Sequence, residues 1–111
     1  MFKNGMRPVH PGEILREDCI KPLGISVSAL AEALHIPYSR LRDVANGKRG
    51  VTADTALRLE RYFGTPAKGW LNLQSAYDLR IAEKVAGKTI ARDVMPLAGV
   101  LKQGKPQPAS S

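Results

Sequence analysis

The stretch from Ser26 to Gly47, SVSALAEALHIPYSRLRDVANG, constrains this chain more than any other. It reads as two short helices joined by a tight turn. Ser26 is a favoured N-cap residue, and Leu30, Ala31 and Leu34 behind it make one apolar stripe. Pro37 interrupts the pattern, because its ring disfavours α geometry at Ile36. A second helix starts near Pro37 or Tyr38 and turns Leu41, Val44 and Ala45 inward. Asn46-Gly47 then supplies a left-handed stop. The outer face of the second helix is left with Tyr38, Ser39, Arg40, Arg42 and Asp43. All of these donate or accept hydrogen bonds and two are guanidinium forks, which is the chemistry that reads base edges in a major groove.

The flanking chain completes an all-α reading. Residues 1–9 look like a leader ahead of a helix starting at Pro11, a favoured first-turn residue, with Glu13 where the helix dipole favours negative charge. Ile14, Leu15, Cys19 and Ile20 face inward, and the helix ends before Pro22-Leu23-Gly24. His35 falls in the central turn and reads as a partly exposed turn residue. Lys48-Arg49-Gly50 follows the second helix, where basic residues are placed to hold a phosphate backbone. Thr52 reads as the cap of a fourth helix with Ala56, Leu59 and Phe63 inward, Leu57 beside them, Arg58, Glu60 and Arg61 on the wet side, and Gly64 at its end. Thr65-Pro66 restarts a fifth helix as cap and first residue, running to about Val85. Its stripe is Trp70, Leu73, Tyr77 and Ile81, core first and long enough to serve a partner surface as well. Residues 86–111 are punctuated by glycine and proline. They read as a partly disordered extension, dispensable for folding, beside a domain of residues 1–85.

Charge narrows the function. The 111 residues carry a formal net charge of +7, which in a small domain suggests a polyanionic partner, nucleic acid above all. The charge is uneven: residues 37–50 hold Arg40, Arg42, Lys48 and Arg49 against Asp43 alone, and residues 84–111 hold Lys84, Lys88, Arg92, Lys102 and Lys105 against Asp93. The single cysteine, Cys19, excludes an intrachain disulfide and reads as a small buried hydrophobe. With only His10 and His35 besides, at unmatched spacing, neither a metal site nor a cofactor is expected. Glu13, Glu17 and Asp18 share one helix as a solvated face with no base beside them, so an enzyme is not expected. No long apolar run points to a membrane, and the cytoplasm is the expected compartment.

The central stretch resembles the helix-turn-helix of the phage-repressor-like (XRE, or Cro/CI) proteins, through Leu30-Ala31, Ile36, Leu41, Val44 and Asn46-Gly47-Lys48. Further blocks extend the likeness over about residues 6–83: His10-Pro11-Gly12-Glu13, Pro22-Leu23-Gly24-Ile25-Ser26, Asn46-Gly47-Lys48-Arg49-Gly50, Trp70-Leu71-Asn72-Leu73-Gln74 and Tyr77-Asp78-Leu79. Together they resemble the HigA-type (VapI-related) antitoxins. The resemblance implies a five-helix lambda-repressor-like bundle that dimerises through its last helix, near Trp70, Leu73, Tyr77 and Ile81. It implies binding to a palindromic operator of the protein's own operon and neutralisation of a HigB-type, RelE-like mRNA-cleaving toxin. Base reading carries over to Tyr38, Ser39, Arg42 and Asp43, and phosphate contact to Arg40, Lys48 and Arg49. Val27 stands where the family often has a phosphate-touching glutamine, so that contact falls to Ser28 or the backbone. The alternative within the same fold is a regulator with no toxin partner.

Overall fold

The structure, a computed structural model, describes residues 7–102, and every regular element among them is helical. The first helix, α1, spans residues 11–23 as an α segment Pro11–Ile14, a π segment Leu15–Ile20 and a closing α turn Lys21–Leu23. Then come α2 (Val27–Leu34), α3 (Tyr38–Ala45), α4 (Ala53–Phe63), α5 (Ala67–Asp93) and α6 (Leu97–Lys102). The chain divides into two compact units between Arg80 and Ile81, within α5.

The first unit holds the core. Leu15 and Ile20 of α1, Leu30, Ala31 and Leu34 of α2, Leu41 and Val44 of α3, and Ala56 and Leu59 of α4 pack with Ile36, Val51 and Trp70. These are the stripes the periodicity predicts, and fully burying a Leu or Val side chain contributes about 1.5–3 kcal/mol. Two positions on or beside the stripes stand out. Leu57 is 58% exposed, turned away from the core. Trp70 is 5% exposed and donates its indole N–H to Thr65 Oγ1 at 2.8 Å, so it belongs to the interior of a single chain.

The π segment has no counterpart in the sequence reading, yet its signal is present. Ile14 and Cys19 lie five residues apart, as do Leu15 and Ile20. A wider turn closed by i to i+5 bonds superimposes such pairs, and Lys21 N–H does donate to Arg16 O. Pro22 explains why the helix widens here. It has no N–H to give, and in a regular α turn its ring would press on the carbonyl four residues back. The burial of Leu15 and Ile20 and the partial burial of Ile14 and Cys19 follow from the same wide turn. Burial, with Asp18 second, pushes the Cys19 thiol up from its ordinary pKa, so at neutral pH it is a protonated, core-lining thiol.

The caps fall largely where the residue types put them. Ser26 Oγ accepts from Ala29 N–H at 3.0 Å and Thr52 Oγ1 from Thr55 N–H at 3.3 Å. Gly64 closes α4 at φ 80°. His35 closes α2 in the left-handed region, φ 58°, which a non-glycine residue adopts at some cost. Thr65 does not play the expected cap. Its hydroxyl serves Trp70, and the amide of Ala67 at the start of α5 donates instead to Glu60 Oε2 at 3.0 Å.

In the second unit α5 continues past Val85 and Gly87 to Asp93, and α6 follows Pro96. The expectation of a helix ending near Val85 gave too much weight to Gly87. A mid-helix glycine costs about 1 kcal/mol, which flanking Ala, Lys and Arg residues offset. Pro96, which restricts Met95, is the effective stop. Val85, Ile90, Val94, Met95 and Leu97 are exposed. The disorder expected at the chain end falls at residues 103–111, outside the described residues.

A close backbone approach in the first unit fixes how α1 meets α3. A Cβ placed on Gly12 would lie 1.8 Å from Val44 O and 3.1 Å from Ala45 Cα. Replacing a helical glycine by alanine ordinarily stabilises by up to about 1 kcal/mol. Here Gly12→Ala should instead destabilise by about 1–3 kcal/mol or more, as overpacking does. A thermal melt checks this, and a rise in Tm would contradict the packing.

Candidate nucleic-acid interface

The turn that joins α2 to α3 is built by backbone bonds. Ile36 N–H donates to Ala31 O and His35 N–H to Glu32 O, which closes α2. Pro37, extended at φ −60° and ψ 140°, then caps α3, and its carbonyl receives the Arg40 and Leu41 amides. Ile36 is buried beneath the turn. Leu41, Val44 and Ala45 anchor the inner face of α3, and with them fixed the outer face has one orientation.

That outer face carries the predicted residues. Tyr38, Ser39 and Arg42 are exposed, with Arg40 and Asp43 half-buried at its edges. The Arg42 guanidinium lies 5.7 Å from the Tyr38 ring centre and 3.5 Å from Asp43 Oδ1, so all three share one surface. At that distance and half-exposed, the ion pair is weak, and the fork stays free to re-aim. Ser28 is exposed on α2, one residue beyond Val27, which packs partly against the core. Arg40 differs from the other three basic positions. Its Nη2 reaches Asp54 of α4 at 3.5 Å, and its Nε is buried with no hydrogen-bond partner among the described residues.

The loop leaving α3 is held from several sides. Lys48 and Arg49 amides both donate to Asp43 O, at 2.8 and 3.2 Å, and Gly47 takes φ 76°. Arg16 Nη1 of α1 donates to Ala45 O at 2.6 Å, a cationic cap on the C-terminus of α3. Gln74 of α5 accepts from Val51 N–H at 2.8 Å and donates to Asp78 Oδ1 at 3.0 Å. Gly50 leaves room for that amide, since a Cβ there would sit 3.2 Å from Gln74 Cδ. The side chains of Lys48 and Arg49 stay exposed at the edge of this braced loop.

Three contributors were missed by local pattern. The local pattern gives Arg16 and Gln74 no role and puts Arg58 on the wet side. Arg58 Nη1 in fact donates to Leu34 O at 2.9 Å and His35 O at 3.2 Å, closing α2 as Arg16 closes α3, while its Nε holds Asp54 at 2.9 Å. These bonds span 29 residues for Arg16, 24 for Arg58 to Leu34 and 23 for Gln74. No periodicity carries such partners.

The His10-Pro11-Gly12-Glu13 block acquires a role for each residue. His10 Nδ1 accepts from Gly12 N–H at 2.9 Å as the cap of α1, Pro11 takes the first helical position, and Gly12 permits the approach to Val44. Glu13 pairs with Arg7 at 2.8 Å, and that guanidinium holds its carboxyl below the ordinary carboxylate range.

Of the residues expected on the last helix, Leu73, Tyr77 and Ile81 are each half-buried, and Tyr77 meets the His10 ring edge-on at 4.9 Å. Among the described residues no helix is long and apolar enough to cross a membrane.

A polar, basic face on the second helix of a helix-turn-helix, with a basic loop at its exit, defines a DNA-binding module of the repressor type. The comparisons agree. A helix-turn-helix family model matches residues 15–70. Virulence-associated protein I of Dichelobacter nodosus is 58% identical over 82 residues, 74% of this chain and 76% of that protein. Antitoxin HigA-1 of Vibrio cholerae is 40% identical over 80 residues, 71% and 74% of the two chains. A HigA-family addiction-module antidote protein from Coxiella burnetii superposes with a TM-score of 0.78 at 50% identity, covering 82% of this chain and 99% of that one. The antitoxin HigA of Pseudomonas aeruginosa, solved with the higBA promoter, gives 0.80 at 46% identity over 82% and 99%. This chain belongs to the HigA-type antitoxins of the phage-repressor-like helix-turn-helix family.

The bracing of the exit loop makes a direct prediction. Gln74→Ala removes the acceptor of the Val51 amide and should cost about 1–3 kcal/mol, the penalty for orphaning a buried donor. Gln74→Glu, which keeps an acceptor oxygen, should cost less. Thermal melts and Val51 amide exchange rank the two variants, and equal effects would contradict the assignment.

Proposed function

We propose that this protein is the antitoxin of a type II toxin-antitoxin pair, which binds the operator of its own operon as a homodimer and neutralises a HigB-type, RelE-like mRNA-cleaving toxin. The observation that carries the DNA half is the shared exposed face of Tyr38, Ser39 and Arg42 beside the braced Lys48-Arg49 loop. It is supported by operator-bound neighbours: besides the Pseudomonas HigA with its promoter, antitoxin GraA in complex with its operator matches at a TM-score of 0.78 and 47% identity, covering 86% of this chain and 97% of that one. Tyr38, Ser39, Arg42 and Asp43 are the proposed base readers. Lys48, Arg49, Arg40 and Ser28 are the proposed phosphate contacts. For Arg40 the buried, unpartnered Nε and long Asp54 pair favour an arginine ready to take an anion.

The dimer rests on less. With Trp70 inside the monomer, the proposed interface falls on Leu73, Tyr77 and Ile81, which keep part of their surface, in a reader too small to hold DNA tightly alone. In this reading residues 1–85 are the DNA-binding domain and residues 86–111 an accessory extension. The alternative, a regulator without a toxin, is favoured by relatives named uncharacterized HTH-type transcriptional regulators, among them YbaQ of Escherichia coli, 38% identical over 73 residues. Co-expression with the neighbouring reading frame separates the two. An antitoxin should relieve that protein's growth arrest and co-purify with it, and sedimentation at micromolar concentration should show a dimer. A harmless neighbour would support the alternative, and a monomer would overturn the interface.

The reading face is tested by two substitutions measured on operator and random duplex across a salt series. A guanidinium pairs bidentately with guanine O6 and N7, so Arg42→Ala should cost about 1–3 kcal/mol on the operator and much less on random DNA. Lys48→Ala should weaken both about equally and flatten the salt dependence by about one unit of slope per half-site. If Arg42→Ala weakens both duplexes equally, Arg42 is a backbone contact and the assignment of the reading face is wrong.

A further inference from the structure

We propose that His10 is a positioning residue for DNA binding, whose neutral imidazole latches the start of α1 to the loop that carries Lys48 and Arg49. The proposal rests on the DNA-binding reading above and adds a residue that contacts no DNA in it. His10 is 9% exposed and stands where three elements meet. Its Nδ1 accepts from Gly12 N–H at 2.9 Å, which fixes the tautomer with the proton on Nε2. The Arg49 backbone lies on the loop side of the ring and favours its protonated form. Tyr77 of α5 meets the ring edge-on at 4.9 Å, and a Cβ on Gly47 would lie 3.8 Å from it. One side chain thus caps α1, lies against α5 and packs beside Gly47 at the exit of α3. Gln74 holds the same loop from α5 through Val51.

Protonation undoes this arrangement at one atom. A proton on Nδ1 would face the Gly12 N–H, donor against donor, and the cap is lost. The groups around the ring pull in both directions. From α5, Asp78 favours the cation and Tyr77 offers only a ring edge. From the loop, the Arg49 carbonyl favours the cation. On α1, Glu13 is committed to Arg7. Burial outweighs these and pushes the imidazole below its ordinary 6.5. A histidine with a depressed pKa binds fewer protons folded than unfolded. Its contribution is therefore complete above pH 6.5 and is lost progressively as the pH falls below that value. Because the loop is proposed to hold phosphate, its loosening should weaken operator and random duplex together.

The test uses the full chain with His35→Asn as background, which leaves His10 as the one histidine, and asparagine suits the left-handed backbone at that position. In NMR without DNA, the His10 ring and the amides of Gly12, Lys48 and Arg49 should titrate together with a midpoint below 6.5. Affinity for both duplexes should fall together as the pH drops below 6.5. His10→Asn, which retains an N-cap acceptor but cannot titrate, should flatten that profile. An unchanged profile in His10→Asn overturns the inference, as do Lys48 and Arg49 amides that ignore the His10 titration. Failure to bind the operator at any pH would sink the DNA reading instead, and the amide titration would still decide the latch.

Discussion

The structure depends on the contact between the first turn of α1 and the last turn of α3. Gly12 lies so close to Val44 O that no side chain fits between them, and Arg16 from the next turn of α1 closes the Ala45 carbonyl at 2.6 Å. An eight-residue helix such as α3 is too short to hold itself together in water. Its geometry comes from Leu41 and Val44 in the core, from Pro37 at one end and from α1 at the other. The proposed DNA-reading element is held in place because its neighbours end on it.

The same logic recurs along the chain. Several backbone ends are met by a side chain sent from another element. Arg16 closes α3, Arg58 closes α2, Glu60 takes the first amide of α5, and Gln74 takes the amide of Val51. Most of these partners are charged, and a hydrogen bond to a charged group contributes about 1.5–3 kcal/mol net against about 1 for a neutral one. Arg16, Arg58 and Glu60 thereby serve the architecture. Arg42, Lys48 and Arg49 remain exposed along one edge, and these give the proposed interface its sign.

How much of this could be read beforehand follows from the range of each interaction. The stripes of α2, α3 and α4, the caps at Ser26 and Thr52 and the stop at Gly64 were legible because their partners lie within a turn. So was the exposed set Tyr38, Ser39, Arg42, since burying Leu41 and Val44 leaves no other face outward. The π turn was overlooked because periodicity was sought at 3.6 residues while Ile14/Cys19 and Leu15/Ile20 repeat at five. Trp70 was assigned to two surfaces because nothing local says that Thr65 receives its indole. The reach of α5 past Gly87 shows the converse error, a local breaker given more weight than its roughly 1 kcal/mol. Family resemblance marked the His10-Pro11-Gly12-Glu13 block as meaningful, and the packing of Gly12 on Val44 supplies the reason.

The central claim is that α3 is a major-groove reader presented in pairs. Chemical footprinting of the protein on its own promoter tests it most directly. Two recognition helices of a symmetric dimer enter successive major grooves about 34 Å apart. The account predicts guanine N7 protection in two patches one helical turn apart on one face of the duplex, arranged as an inverted repeat. A single patch, protection confined to the minor groove, or two patches without that spacing would contradict it.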